Sequence, residues 1–276
     1  MPRLRSDDVH LNVAVRQGPA DGPVLLLLHG FTGSITTWQP HMEALAADCT
    51  TVAIDALGHG DSDAPPDPLR YRMEYVVADT LRIADQLGID RFGLLGYSMG
   101  GRMALHIAAA SDRVTGLVLE SASPGLATPA EREARVAADE ELATLLETEG
   151  IATFVERWER LPLFASQATL SPAARLALRV QRSSANPCGL ANSLRGTGTG
   201  AQPPLHERLG GIRVPTLLIA GELDHKFVQI ARQMHAALPD SRLETVAGAG
   251  HAVHLEDPLR WNALVRQFIR SNLWHP

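Results

Sequence analysis

Short, continuous apolar runs punctuate the chain. Val24-Leu25-Leu26-Leu27-Leu28, ending in His29-Gly30, is one of them. A strand covered on both faces carries such a run because neither face meets water, which is the pattern of a parallel sheet. Further runs recur at residues 51–54, 92–95, 117–119, 216–219 and 242–246, and residues 9–15 alternate like an edge strand ahead of them. Between most of these lie stretches with helical periodicity. Residues 75–87 space Val76, Leu81, Ile83, Ala84 and Leu87 on one face, and 99–109, 228–238 and 258–273 follow the same rule. Strand alternating with helix predicts an α/β chain, a mostly parallel, twisted, doubly wound sheet flanked by helices.

The alternation lapses between residues 124 and 209. Arg-rich stretches with Ala and Leu at helical spacing, 131–147 and 172–182, predict consecutive helices there. Residues 124–209 are therefore expected to form a helical cap inserted into a core made of 1–123 and 210–276. The run Arg195-Gly196-Thr197-Gly198-Thr199-Gly200, followed by Pro203-Pro204, is expected to mark the return from cap to core.

Composition narrows the possible partners. A chain of 276 residues, 45% hydrophobic, can bury the core of one large domain with an insertion. A net charge of −6 without any basic tract argues against nucleic acid. The opening MPRLRSDDVHLNVAV lacks the apolar core of a signal peptide, and no apolar run is long enough for a membrane span, so a cytoplasmic location is expected. Cys49 and Cys188 are far apart and lack metal-ligand spacing. His29, His59, His206 and His251 fall on separate loops, so neither a disulfide framework, a metal nor an organic cofactor is expected.

The candidate chemistry centres on Gly96-Tyr97-Ser98-Met99-Gly100-Gly101. This Gly-x-Ser-x-Gly follows a predicted strand and opens a predicted helix, the setting of a nucleophile elbow. A free serine hydroxyl is a poor nucleophile and a poor proton relay, so it needs a base and a carboxylate to orient that base. Asp224, in Gly221-Glu222-Leu223-Asp224, follows the strand at 216–220, and His251, in Gly248-Ala249-Gly250-His251, follows the last strand. His225 and His254 compete for the role of base, and position after the final strand favours His251. Backbone N–H groups of Met99 and of Phe31, in the loop His29-Gly30-Phe31-Thr32-Gly33, are the expected oxyanion donors. Gly58-His59-Gly60-Asp61-Ser62 reads as a structural turn. Elbow, His-Gly loop, Gly-His-Gly turn, Asp and His together resemble the α/β-hydrolase superfamily over nearly the whole chain, which implies an α/β-hydrolase fold. That superfamily contains hydrolases, dehalogenases, haloperoxidases and lyases, so the reaction stays open.

Arginines narrow it. Arg102 stands one helical turn beyond Ser98 and should lie on the serine's side of the helix. An unpaired buried charge costs about 3–5 kcal/mol, so Arg102 should face an internal carboxylate or an anionic ligand. The cap adds Arg132 and Arg135 on one predicted helix and Arg175, Arg179 and Arg182 on another. Each alone reads as solvated. Together, guanidinium forks in a cap over the site would suit a substrate with several carboxylates.

With these residues included, the chain resembles the 2-succinyl-6-hydroxy-2,4-cyclohexadiene-1-carboxylate synthases of menaquinone biosynthesis. The matching stretches are Gly96 through Arg102, Glu120-Ser121-Ala122-Ser123-Pro124-Gly125-Leu126, Trp158 with Pro162-Leu163-Phe164, and Asp224-His225-Lys226-Phe227. The resemblance implies substrate contacts at Tyr97, Arg102, Arg135, Trp158, Phe164 and Arg182, although Trp158 and Phe164 read equally as cap packing. It implies a lyase that takes a small tricarboxylate, expels pyruvate without a cofactor, and uses Ser98 as a general base within the triad. A serine hydrolase cleaving carboxylic esters or C–C bonds remains the alternative, because the triad alone does not exclude it. A non-enzymatic receptor with this fold is disfavoured by the complete Ser98, Asp224 and His251 set.

Overall fold

The computed structural model describes residues 2–273. Its elements run β1 (Arg3–Ser6), β2 (Val9–Arg16), β3 (Val24–Leu28), α1 (Gln39–Leu45), β4 (Thr50–Ile54), α2 (Met73–Gln86), β5 (Phe92–Tyr97), α3 (Met99–Ala110) and β6 (Val114–Glu120). Four helices follow without an intervening strand, α4 (Pro129–Thr148), α5 (Gly150–Glu159), α6 (Pro172–Ser183) and α7 (Pro187–Thr197). The chain then returns to the sheet through β7 (Thr216–Gly221), α8 (His225–Ala237), β8 (Ser241–Val246), α9 (Val253–Glu256) and α10 (Pro258–Asn272).

The strands form one sheet in the order β1-β2-β4-β3-β5-β6-β7-β8. Pairing is antiparallel from β1 to β2 and from β2 to β4, and parallel from β4 onward. Because successive side chains point to opposite faces, the apolar run of β3 divides cleanly. Leu26 and Leu28 join the core beneath α2 and α3, with Ile83, Ala84, Met103 and Ala104. Leu25 and Leu27 join the opposite core with Met42 and Leu45 of α1 and Trp261, Val265 and Ile269 of α10.

One expectation is corrected. The alternating segment at 9–15 is not the edge strand. β2 is flanked on both sides, and the edge is β1, whose Arg-Leu-Arg-Ser sequence is too short and polar to announce itself. The Gly-rich run begins inside a helix, since Arg195, Gly196 and Thr197 are the last turn of α7. Gly196 is there for close approach: a Cβ on it would stand 2.7 Å from the Tyr71 carbonyl carbon. The helices between β6 and β7 have an apolar centre of their own, in which Leu146, Phe154, Val155, Leu190 and Leu194 pack together and Phe31 of the core leans on them. Helix α4 is started by a capping box between Thr128 and Glu131, with Pro129 in its first turn. The two ends of the segment are tied where the Leu205 N–H donates to the Pro124 carbonyl at 2.8 Å. Among the described residues no helix is long and apolar enough to cross a membrane, and no group of His, Cys, Asp or Glu is placed to hold a metal ion. Cys49 and Cys188 are both free.

Candidate active site

Strand β5 turns into α3 through Ser98, whose backbone sits at φ 51° and ψ −107°. A non-glycine residue there is strained, and it is held by its surroundings. The Ser98 N–H donates to the Glu120 carbonyl at 2.8 Å, and its own carbonyl accepts from the Arg102 N–H at 3.1 Å. The turn also requires glycine two residues on, because a Cβ on Gly100 would lie 2.0 Å from the Leu28 carbonyl oxygen. Sharp turn and close packing together raise the serine hydroxyl above the carboxyl end of the sheet.

Ser98 Oγ lies 3.0 Å from His251 Nε2, and His251 Nδ1 lies 2.6 Å from Asp224 Oδ2. A carboxylate only accepts, so the proton sits on Nδ1 and leaves the Nε2 lone pair facing the hydroxyl. Asp224 caps α8, where its other oxygen accepts the Phe227 N–H at 3.3 Å, and the Phe227 ring stands edge-on to His251 at 4.6 Å. Neither competing histidine reaches the serine. His225 is exposed, and His254 is buried against Glu120, with Nδ1 2.9 Å from its carboxylate.

The hydroxyl opens into a cavity of about 510 Å³. Its lining includes Phe31 and Met99, Tyr97, Arg102, Arg135, Trp158, Phe164 and Arg182, together with Ser98, Asp224 and His251. Met99 is the first residue of α3, so its N–H belongs to the set that a helix start leaves without an intrahelical partner. The aromatic wall is continuous. The Trp158 ring stacks on Phe154 at 5.5 Å, meets Phe31 at 5.2 Å and Phe164 at 5.5 Å, and Phe164 reaches His251 at 6.1 Å. Tyr97 packs against both His251 and His254, and burial holds its hydroxyl pKa well above the usual phenol value.

The three lining arginines have different partners. Arg182 is 5% exposed, lies over the Phe164 ring, and donates to Gln167 Oε1 at 3.1 Å and Glu159 Oε1 at 3.3 Å. Arg135 donates to the buried Asp139 carboxylate at 2.8 Å. Arg102 donates through Nη1 to the Thr197 carbonyl and to Gln202 Oε1, each at 2.5 Å. Burial, reinforced by the charge of Arg135, pushes the Arg102 guanidinium down to about 10. Arg132, Arg175 and Arg179 do not line the cavity: Arg132 caps carbonyls of the preceding loop, and Arg175 and Arg179 are exposed on α6. Sequence reasoning missed Asp139, Glu159, Gln167 and Gln202. Asp139 is four residues beyond Arg135, a spacing at which helical ion pairs form, so that partner had a readable signal.

Related chains identify the family. The profile of the α/β hydrolase fold matches residues 23–258, and the chain belongs to that family. A Bacillus subtilis (strain 168) protein, provisionally named 2-succinyl-6-hydroxy-2,4-cyclohexadiene-1-carboxylate synthase, is 44% identical over 96% of this chain and 97% of its own. The synthase of that name from Serratia proteamaculans (strain 568) is 36% identical over 92% of this chain and 96% of its own. The structure of MenH from S. aureus superposes with a TM-score of 0.90 at 36% identity, covering 94% of this chain and 97% of that one. Within the hydrolase fold, the chain belongs to the 2-succinyl-6-hydroxy-2,4-cyclohexadiene-1-carboxylate synthases.

Proposed function

We propose that the chain eliminates pyruvate from 2-succinyl-5-enolpyruvyl-6-hydroxy-3-cyclohexene-1-carboxylate, a step of menaquinone biosynthesis, with Ser98, His251 and Asp224 as its proton-transfer relay. The observation that carries this reading is the serine–histidine contact of 3.0 Å under a cavity walled by three arginines. His251, oriented by Asp224, accepts the Ser98 proton, and Ser98 Oγ takes a proton from the substrate ring. The electron pair of that C–H bond becomes a ring double bond, the double bond already in the ring shifts by one position, the ring C–O bond to the enolpyruvyl group breaks, and the departing enolpyruvate takes up the proton held on His251 and tautomerises to pyruvate. No acyl-enzyme forms. The N–H groups of Phe31 and Met99 stabilise the charge that develops on the succinyl ketone oxygen, which is conjugated with the carbanion.

Tyr97, Trp158 and Phe164 shape the pocket around the ring, while Arg102, Arg135 and Arg182 meet the carboxylates. Residues 124–209 act as the cap that carries most of these groups over a core of 1–123 and 210–276. A small polycarboxylate as ligand, no nucleic acid and a cytoplasmic location belong to the same reading, and a net charge of −6 argues against nucleic acid.

The test measures pyruvate release from the enolpyruvyl precursor beside hydrolysis of p-nitrophenyl esters, in wild type and Arg102→Ala. Pyruvate release is expected to dominate, with KM raised about 10–100-fold in Arg102→Ala through loss of a charge-assisted contact. Efficient ester turnover with no pyruvate release would make the chain a serine hydrolase instead.

A further inference from the structure

The three arginines of the cavity are not equally neutralised within the protein. Arg182 has the Glu159 carboxylate at 3.3 Å, and Arg135 has Asp139 at 2.8 Å. Arg102 is held by a backbone carbonyl and a side-chain amide, both uncharged, and among the described residues no carboxylate forms an ion pair with it. Gln202, which supplies the amide oxygen, is 1% exposed, and its Nε2 is buried without a partner. The hydrogen bond from Arg102 is the one that its side-chain amide makes. A carboxylate of the same length would satisfy the guanidinium far better, yet the position holds a neutral group. The Asp139 carboxylate is near enough to offset part of the repulsion that Arg135 exerts on Arg102, and its second oxygen is buried without a partner.

The charge count in this corner is two guanidiniums against one carboxylate. One positive charge is left over, and it lies on a partly buried group that lines the cavity. A charge partly withdrawn from water without a counter-ion is costly, and an incoming carboxylate offsets that cost. A second incoming carboxylate would meet no remaining excess charge.

We propose that Gln202 and Asp139 fix the capacity of the Arg102–Arg135 subsite at one ligand carboxylate, Asp139 by compensating Arg135 within the protein and Gln202 by holding Arg102 through a neutral acceptor. This rests on the reading of the cavity as a polycarboxylate site and names the residues that meter charge at one end of it. Both are specificity-determining positions. Gln202 touches Arg102 from behind, and Asp139 holds Arg135 one helical turn away, so neither needs to touch the reacting atoms.

Two substitutions move the charge in opposite directions. Gln202→Glu supplies Arg102 with an internal carboxylate and removes the excess. Asp139→Asn keeps an oxygen acceptor for Arg135 Nε but removes the negative charge, which doubles the excess. The probe is tricarballylate, a non-reactive tricarboxylate, titrated calorimetrically into the full chain at several salt concentrations. Affinity is expected to fall about tenfold or more in Gln202→Glu, and to rise about tenfold in Asp139→Asn with a steeper salt dependence. Gln202→Met, which removes the acceptor without adding charge, is expected to weaken binding less than Gln202→Glu. It serves as the second variant should the glutamate chain melt early.

Affinities moving in the same direction in Gln202→Glu and Asp139→Asn overturn the proposal, as does a wild type that fails to bind the probe at low salt. Pyruvate release measured on the same proteins separates the two readings. Opposite shifts in affinity without pyruvate release leave the charge assignment standing and remove the synthase, whereas pyruvate release with same-sign shifts removes only the charge assignment.

Discussion

The strained serine at the elbow gives a prediction whose sign is opposite to the ordinary one. At most positions replacing alanine by glycine costs about 0.5–1 kcal/mol, because glycine loses more freedom on folding. At Ser98, with φ 51° and ψ −107°, a Cβ is the source of the strain, which is of the order of 1–3 kcal/mol for such backbone conformations. Ser98→Ala and Ser98→Gly both lose the hydroxyl and its contact with His251, so that loss cancels between them. What remains is the strain relieved by glycine less its extra entropy cost, about 0.5–2 kcal/mol in favour of glycine. In a chain of this size that is about 1–4 °C in melting temperature. Two melting curves on purified variants, with a urea titration to check the free energy, make the comparison. Both variants are expected to release no pyruvate, and the glycine variant is expected to melt higher. An alanine variant that melts at or above the glycine variant would refute the idea that the elbow stores strain, and with it the account of Ser98 as held in place by the Glu120 and Arg102 backbone contacts.

Asp224→Asn is expected to lower kcat about 10³–10⁴-fold while the melting temperature moves by a few degrees at most, because an amide facing Nδ1 places the imidazole proton on the serine side; an activity within tenfold of wild type would exclude the proposed relay. Gly100→Ala puts a methyl group 2.0 Å from a backbone oxygen that has no room to yield, so a loss above about 4 kcal/mol by urea denaturation, or no folded protein, is expected. Burial, helped by neighbouring His254, pushes His41 down to about 4, below its unfolded value near 6.5, so the unfolded chain takes up a proton that the folded one refuses. That stabilisation is complete above pH 6.5 and is lost as pH falls toward 4, up to about 3 kcal/mol. The fall of melting temperature between pH 7 and 4.5 should be shallower in His41→Gln, and equal slopes in the two proteins would contradict the assignment.

The sheet could be read from the sequence because its central strands are buried on both faces and therefore uniformly apolar, as in Val24–Leu28. The elbow could be read because its glycines are demanded by backbone contacts that no other residue permits. β1 and α7 could not. Arg3–Ser6 becomes a strand only by pairing with β2, and α7 is built from Pro187, Gly189, Asn192, Ser193 and Gly196, poor helix formers that are held by burying Leu190, Ala191 and Leu194 in the cap. The arginines show the same limit. Arg175, Arg179 and Arg182 share a face of α6 by spacing, yet Arg182 alone of the three is buried, since Glu159 and Gln167 come from elements whose approach to α6 no local pattern records. Periodicity reports which face of a helix is apolar, and it is silent about what that face meets.

What sets the distance between Ser98 and His251 lies behind both of them, at the end of β6. The Glu120 carbonyl accepts the Ser98 N–H at 2.8 Å, and the next side chain, Ser121, donates to the His251 carbonyl at 2.8 Å. The Glu120 carboxylate is fully buried and takes three donors, the His254 N–H at 3.1 Å, His254 Nδ1 at 2.9 Å and Trp261 Nε1 at 2.8 Å. Burying a carboxylate costs several kcal/mol, and only a full set of donors offsets it, so α9 and α10 are bound to one position relative to β6. The histidine loop runs directly into α9, and it inherits that position. The serine–histidine geometry is therefore a property of the sheet and of one buried acid, independent of what the cavity binds. None of the Arg102, Arg135 and Arg182 guanidiniums donates to Glu120 or to a side chain of Ser98, Asp224 or His251, so substitutions there leave the contacts of the buried acid in place.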